Sequence, residues 1–85
     1  MSYIISKHAL EQIVLRGIPE DVVIKILDSP GQIINLNDKR IYQSIIEDDG
    51  KQYLIRIFVN HFKEPNVVIT AYKTSKINKY YEGNI

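Results

Sequence analysis

The residues of this 85-residue chain that could do chemistry are few, and most are cationic or phenolic. His8, Gln12 and Arg16 follow one another at i, i+4 and i+8, so a helix would put them in one stripe. The rise from His8 to Arg16 would be about 12 Å, enough to line a groove but too long to meet at one atom. Arg56 stands inside the apolar run Tyr53-Leu54-Ile55-Arg56-Ile57-Phe58-Val59. A guanidinium there is costly unless it pairs or faces a groove. An ion pair with Glu11 or Glu47 and a groove-facing role both fit that setting. Farther on, Tyr72-Lys73-Thr74-Ser75-Lys76 packs a phenol, two hydroxyls and two ammoniums together, a mix that can grip phosphates and stack a base.

The reaction such groups suit is RNA cleavage without a metal. Something must take the 2′-hydroxyl proton, something must stabilise charge on the phosphorane, and something must protonate the leaving oxygen. His8, Arg16, Arg40, Arg56, Tyr72 and Lys73 could divide these roles in several ways. Composition allows the chemistry without selecting one division of labour.

Other chemistries are excluded or poorly served. There is no cysteine, hence no disulfide framework, thiolate metal site or thiol nucleophile. His8 and His61 are the only histidines, and neither has a second ligand at a metal-binding spacing. Asp48-Asp49 sits in a turn, where solvated carboxylates are common, so no metal and no cofactor is expected. No Walker loop, dinucleotide glycine fingerprint or nucleophile elbow is present. The N-terminus lacks the long apolar core of a signal peptide and no run approaches membrane-spanning length, so a cytoplasmic protein is expected. Net charge is +1, but residues 1–50 carry five cations against eight carboxylates, while residues 51–85 carry six against two. A basic second half suits a polyanion such as RNA, or an acidic protein partner; it also suits a merely solvated face.

These groups must be positioned by short elements in one domain spanning residues 1–85. Ser6 is a good N-cap for a helix over about 7–16, closed by Gly17, with Ala9, Leu10, Ile13 and Val14 as its buried stripe. Pro19, Glu20 and Asp21 open a second helix running to about Asp28, which buries Val22, Val23, Ile26 and Leu27. Everything after Gly31 reads as strand: Gln32–Leu36, Arg40–Glu47, Gln52–Asn60 and Asn66–Lys73, with a helical turn over Ser75–Tyr80. In the last strand Val68, Thr70 and Tyr72 should share a face. The expected fold is therefore α+β, two N-terminal helices packed on one face of a four-stranded antiparallel meander. A domain this small has little room for an enclosed pocket, so a site should be a shallow groove on the sheet or its rim.

The segment from Lys7-His8-Ala9-Leu10-Glu11-Gln12 through Arg16-Gly17-Ile18-Pro19-Glu20-Asp21-Val22 resembles the opening of a bacterial family known as domain of unknown function 4258. The later pieces Tyr53 to Val59 and Val67-Val68-Ile69-Thr70-Ala71-Tyr72-Lys73-Thr74-Ser75-Lys76 also look right, so the resemblance spans nearly the whole chain. That family is similar in layout to RelE-like and BrnT-like toxins and to the wider barnase-like nucleases. The resemblance implies a metal-independent endoribonuclease toxin acting on RNA, with ribosome-associated mRNA as a substrate and a cognate antitoxin protein as partner. Carried over, His8 and Arg16 match the helix motif, Arg56 the third-strand arginine, and Thr70, Tyr72 and Lys73 the last-strand motif. Arg40 matches a basic residue at the start of the second strand. On this reading His8, Arg40, Arg56 and Tyr72 would be catalytic. Arg16, Thr70, Lys73, Ser75 and Lys76 would hold the RNA. The chain departs from RelE-like enzymes in being near-neutral where their sheet is more basic. A non-catalytic protein-binding module, or an inactive relative of such toxins, is the alternative.

Overall fold

The computed structural model describes residues 3–83. The helices start where local chemistry puts them. The Ser6 side chain accepts from the Ala9 backbone N–H at 3.1 Å and opens α1 (Lys7–Leu15). Gly17 at φ 67° ends it: Ile18 N–H reaches Ile13 O and Gly17 N–H reaches Val14 O, the paired bonds of a Schellman motif. Ile13 and Ile18, which that motif brings together, are both buried. The chain then turns straight into α2 (Glu20–Asp28), with Pro19 as its cap and Glu20 and Asp21 at the positive end of the dipole.

The sheet has five strands, not four. Tyr3–Ile5 forms β1, followed after the helices by β2 (Gln32–Asn35), β3 (Arg40–Asp48), β4 (Lys51–Asn60) and β5 (Asn66–Thr74), with a single turn of helix α3 (Ile77–Tyr80) at the end. Strand order is β1-β5-β4-β3-β2. Three neighbour pairs are antiparallel, but β1 runs parallel to β5, so the sheet is mixed and the expected four-stranded antiparallel sheet is wrong. The reason is physical: a three-residue strand is too short to show alternation, and its pairing with Asn66–Val68 is set by contacts some sixty residues away. The tail supplies a third helix, short and with no buried residue.

Asp49 and Gly50, at φ 54° and 76°, make the two-residue turn between β3 and β4, the positive-φ pair that a tight hairpin demands. The resulting register puts Ile55, Ile57 and Val59 on one face of the sheet and Leu54, Arg56 and Phe58 on the other. Helices α1 and α2 cover the first face, where Ala9, Ile13, Val23, Ile26 and Leu27 meet Tyr42, Ile57, Val68 and Ala71. The segment after β5 folds back over the second.

Two expectations about faces need correcting. Only Ala9 and Ile13 of α1 are buried, while Val14 is 70% exposed and Leu10 39%. The helix lies along one margin of the sheet, so its contact stripe is narrower than its apolar content. Likewise Val68 does not share a face with Thr70 and Tyr72. A β-bulge opposite Phe58 and Val59 inserts Ile69, which turns Val68 into the core and leaves Thr70 and Tyr72 on the far side.

Candidate functional site: an arginine and three glutamine and tyrosine partners on the second sheet face

The second sheet face carries a row of polar side chains across four strands. Gln32 on β2 is opposite Gln43 on β3, Gln43 is opposite Arg56 on β4, and Arg56 is opposite Tyr72 on β5. Arg56 Nε donates to Gln43 Oε1 at 2.9 Å, and its Nη1 donates to the Tyr72 hydroxyl at 2.8 Å. Three aromatic rings, Phe58, Tyr72 and Tyr80, lie 5.4, 5.8 and 4.5 Å from the guanidinium carbon. Gln43 is fully buried and Arg56 only 9% exposed.

Arg56 is therefore not ion-paired to Glu11 or Glu47. Among the described residues no side-chain carboxylate lies within ion-pair distance of it. Its charge is held by neutral acceptors and ring faces alone, which stabilise a cation but leave it un-neutralised. A site of that kind attracts an anion. The Tyr72 oxygen, already an acceptor for Arg56, keeps its own proton to donate.

Beyond Arg56 on the same face, Gln52, Ser75, Lys76, Ile77, Asn78 and Lys79 line an open hollow of about 430 Å³. Gln52 and Arg56 are four residues apart on β4, roughly 13 Å along the strand. Ser75 and Lys76 thus stand at one end of α3, and Tyr80 at the other covers Arg56.

The remaining predicted residues lie elsewhere. Arg40 is on the helix-covered face, bonded through Nε to Asn35 Oδ1 at 2.9 Å and through Nη1 to the Tyr42 hydroxyl at 3.5 Å. His8 is exposed on α1. Arg16 reaches from the end of α1 to the outer edge of β5, where Nη1 donates to Ala71 O at 2.7 Å and lies 3.4 Å from Thr70 Oγ1. Lys73 points to the helix side, 3.4 Å from Asp48 Oδ2 and 4.8 Å over the Tyr53 ring, which Lys51 also flanks at 5.5 Å. Of the four residues proposed as catalytic, Arg56 and Tyr72 meet; His8 and Arg40 do not join them. Of the five proposed to hold RNA, Thr70, Ser75 and Lys76 are associated with the Arg56 face or its rim, Arg16 lies at the sheet edge beside Thr70, and Lys73 is on the other face.

On the helix-covered face, Tyr3 and Tyr42 shift each other's phenols in opposite directions. The Tyr42 ring meets Tyr3 edge-on at 6.0 Å. Burial, and hydrogen bonding with Tyr42, push the Tyr3 phenol up to about 12. Burial acts upward on Tyr42 as well, but the hydrogen bond from Tyr3 and the Arg40 guanidinium outweigh it and leave that phenol below its ordinary value. Tyr42 is part of the core, and Tyr3 packs against it.

No group of three or more His, Asp or Glu among the described residues is placed to hold a metal ion. No described helix is long and apolar enough to cross a membrane.

Residues 5–73 match the family model described as Domain of unknown function (DUF4258). The chain belongs to the DUF4258 family. No curated protein and no solved structure matches it. The DUF4258 region contains Gln32, Gln43, Arg56 and Tyr72, and it stops before Ser75, Lys76 and Tyr80.

The residues that the sequence reading missed are Gln32, Gln43 and Tyr80. Gln43 was within reach: in a two-residue hairpin, positions equidistant from the turn face one another, and Gln43 precedes Asp49 by as much as Arg56 follows Gly50. Tyr80 gave no such signal, because nothing in a polar tail says where it folds back.

Proposed function

We propose that this DUF4258 protein is a metal-independent endoribonuclease of the toxin kind, working in the cytoplasm, with the Arg56–Tyr72 pair as its reacting centre. One observation carries this reading: a nearly buried guanidinium with no carboxylate partner among the described residues, hydrogen-bonded to a phenol, on a face whose rim carries Lys76 and Lys79. In the reaction the RNA 2′-oxygen attacks the adjacent phosphorus, the 2′-proton leaves, and the 5′-oxygen departs with a proton. Arg56 would stabilise charge on the phosphorane, and Tyr72, its oxygen held by Arg56, would donate its proton to the departing 5′-oxygen. The 2′-proton would pass to solvent water, from which the phenol is reprotonated. Lys76 and Ser75 would hold the flanking backbone. RNA would be the substrate and a cognate antitoxin the protein partner.

Purified protein incubated with total RNA tests this. Cleavage should persist in EDTA, and expression should arrest growth. Arg56→Ala should abolish both while keeping the circular dichroism spectrum and a cooperative melting transition at a lower temperature. Intact RNA after prolonged incubation, or an Arg56→Ala variant as toxic as the parent, would overturn the assignment.

A second reading has an observation of its own. Leu10, Val14 and Leu15 form an exposed apolar shelf on α1, with Val14 and Leu15 70% and 79% exposed, as a protein-binding module would present. On that reading the protein binds a partner and cleaves nothing, so the RNA incubation separates the two.

A further inference from the structure

The cover over Arg56 is the chain's own tail, and the contacts it makes are those a nucleic-acid strand would make. The Tyr80 ring lies over the guanidinium at 4.5 Å, as unstacked bases lie on arginine planes in RNA complexes. Two residues on, Glu82 pairs twice with one side-chain amide: Gln32 Nε2 donates to Glu82 O at 2.7 Å, and Glu82 N–H donates to Gln32 Oε1 at 3.0 Å.

The polarity of that amide is dictated from Arg56. A guanidinium can only donate, so Gln43 must turn Oε1 toward Arg56 Nε. Gln43 Nε2 then faces outward, donating to Gln32 Oε1 at 2.6 Å and lying 3.2 Å from Tyr80 O. Gln32 is left with Oε1 as acceptor and Nε2 as donor in a fixed order. What it reads on Glu82 is an N–H donor and an acceptor oxygen separated by three bonds. Among the nucleobases, adenine offers the same spacing on its N6/N7 edge, the edge that glutamine recognises bidentately. Guanine presents two acceptors there.

We propose that this surface is a two-base site for single-stranded RNA, taking any base in the place of the Tyr80 ring and adenine in the place of Glu82. The tail occupies it in cis. The inference rests on the reading of the Arg56 face as an RNA site and adds the base preference. Two observations make the tail the displaceable party: α3 contributes no buried residue, and the tail lies beyond the DUF4258 match whereas Gln32, Gln43, Arg56 and Tyr72 lie within it.

The test uses the full-length protein and fluorescent hexanucleotides of A, C, G or U carrying 2′-O-methyl groups, which cannot be cut through the 2′-oxygen. Binding is read by anisotropy, and each variant is first checked by circular dichroism and thermal melting. The hexamer of A should bind tightest. Tyr80→Ala should tighten every hexamer about tenfold by removing the competitor. Gln32→Ala should erase the preference for A, bringing the four hexamers within about twofold of one another. Tyr80→Ala binding no tighter than the parent, or Gln32→Ala still favouring A, overturns the proposal. Binding of this kind without cleavage of total RNA leaves the base site standing and removes the nuclease. Cleavage without any base preference does the reverse.

Discussion

Arg56 and Gln43 stand directly opposite each other across the β3–β4 hairpin, and the arginine Nε–H is held by the glutamine carbonyl at 2.9 Å. The bond is buried, so its loss should be felt in stability: an apolar Gln43→Leu leaves a nearly buried donor without its acceptor, at a cost of about 1–3 kcal/mol in urea denaturation. Gln43→Glu separates fold from function. It keeps an acceptor for Arg56 and should fold once Gln32 turns its Nε2 to the new oxygen, but its carboxylate neutralises the guanidinium and should cut RNA binding at least about tenfold. A Gln43→Glu protein that binds RNA as the parent does would show that Arg56 acts only as a structural pin.

The Tyr3–Tyr42 pair gives the alkaline limb of the stability profile its sign. Tyr3 has its phenol raised to about 12 in the folded protein, so its contribution is fully present below the ordinary phenol value near 10 and is lost as pH climbs from there through 12. Tyr42, lowered, works in the opposite direction and contributes above its unfolded value. Absorbance titration of the folded protein should show one phenolate forming early and one late. Tyr3→Phe should remove the late transition and return Tyr42 toward its ordinary value. A single group of tyrosines titrating together near 10 would contradict the pairing.

What was legible in the sequence was local. Ser6, Gly17, Pro19 and Asp49-Gly50 marked the ends of elements because capping and turn chemistry acts over three or four residues. The alternation in Tyr53–Val59 set Arg56 on the face opposite Ile55, Ile57 and Val59, though not which of the two faces the helices cover. What was hidden depended on distant pairing. The parallel β1, the bulge at Ile69 that separates Val68 from Tyr72, and the return of Tyr80 to Arg56 have no counterpart in any short window of residues. The same gap explains the candidate site. Arg56 and Tyr72 could be placed by strand period, while the distance of Arg40 and His8 from them could not be read without knowing which strands neighbour which.

Helix α1 tests how far burial departs from apolar pattern. Ile13 is 1% exposed and packs in the core, so Ile13→Ala should cost about 2–5 kcal/mol. Val14 and Leu15 face outward and should tolerate serine within about 0.5 kcal/mol. Urea denaturation of the three variants would check the order. If Val14→Ser or Leu15→Ser destabilises as Ile13→Ala does, the shelf is covered in solution, and size-exclusion chromatography with light scattering should then show a dimer.

Arg16 guards an edge. Past Val68, β5 has no strand among the described residues on its outer side, since β1 ends at Ile5, and the Arg16 Nη1 bond to Ala71 O at 2.7 Å occupies one of the carbonyls left there. An open edge of this kind invites pairing with a second chain, and a charged side chain laid across it discourages that. Arg16→Ala should therefore lose about 0.5–1.5 kcal/mol of stability and raise self-association at high concentration, seen by sedimentation. Arg16→Lys keeps the charge but presents a single ammonium in place of the planar fork, so it should remain monomeric while losing part of the stability. If Arg16→Ala is as stable and as monomeric as the parent, the edge needs no guard. Its contact with Ala71 is then incidental, and the guanidinium is free to serve the RNA backbone along α1 instead.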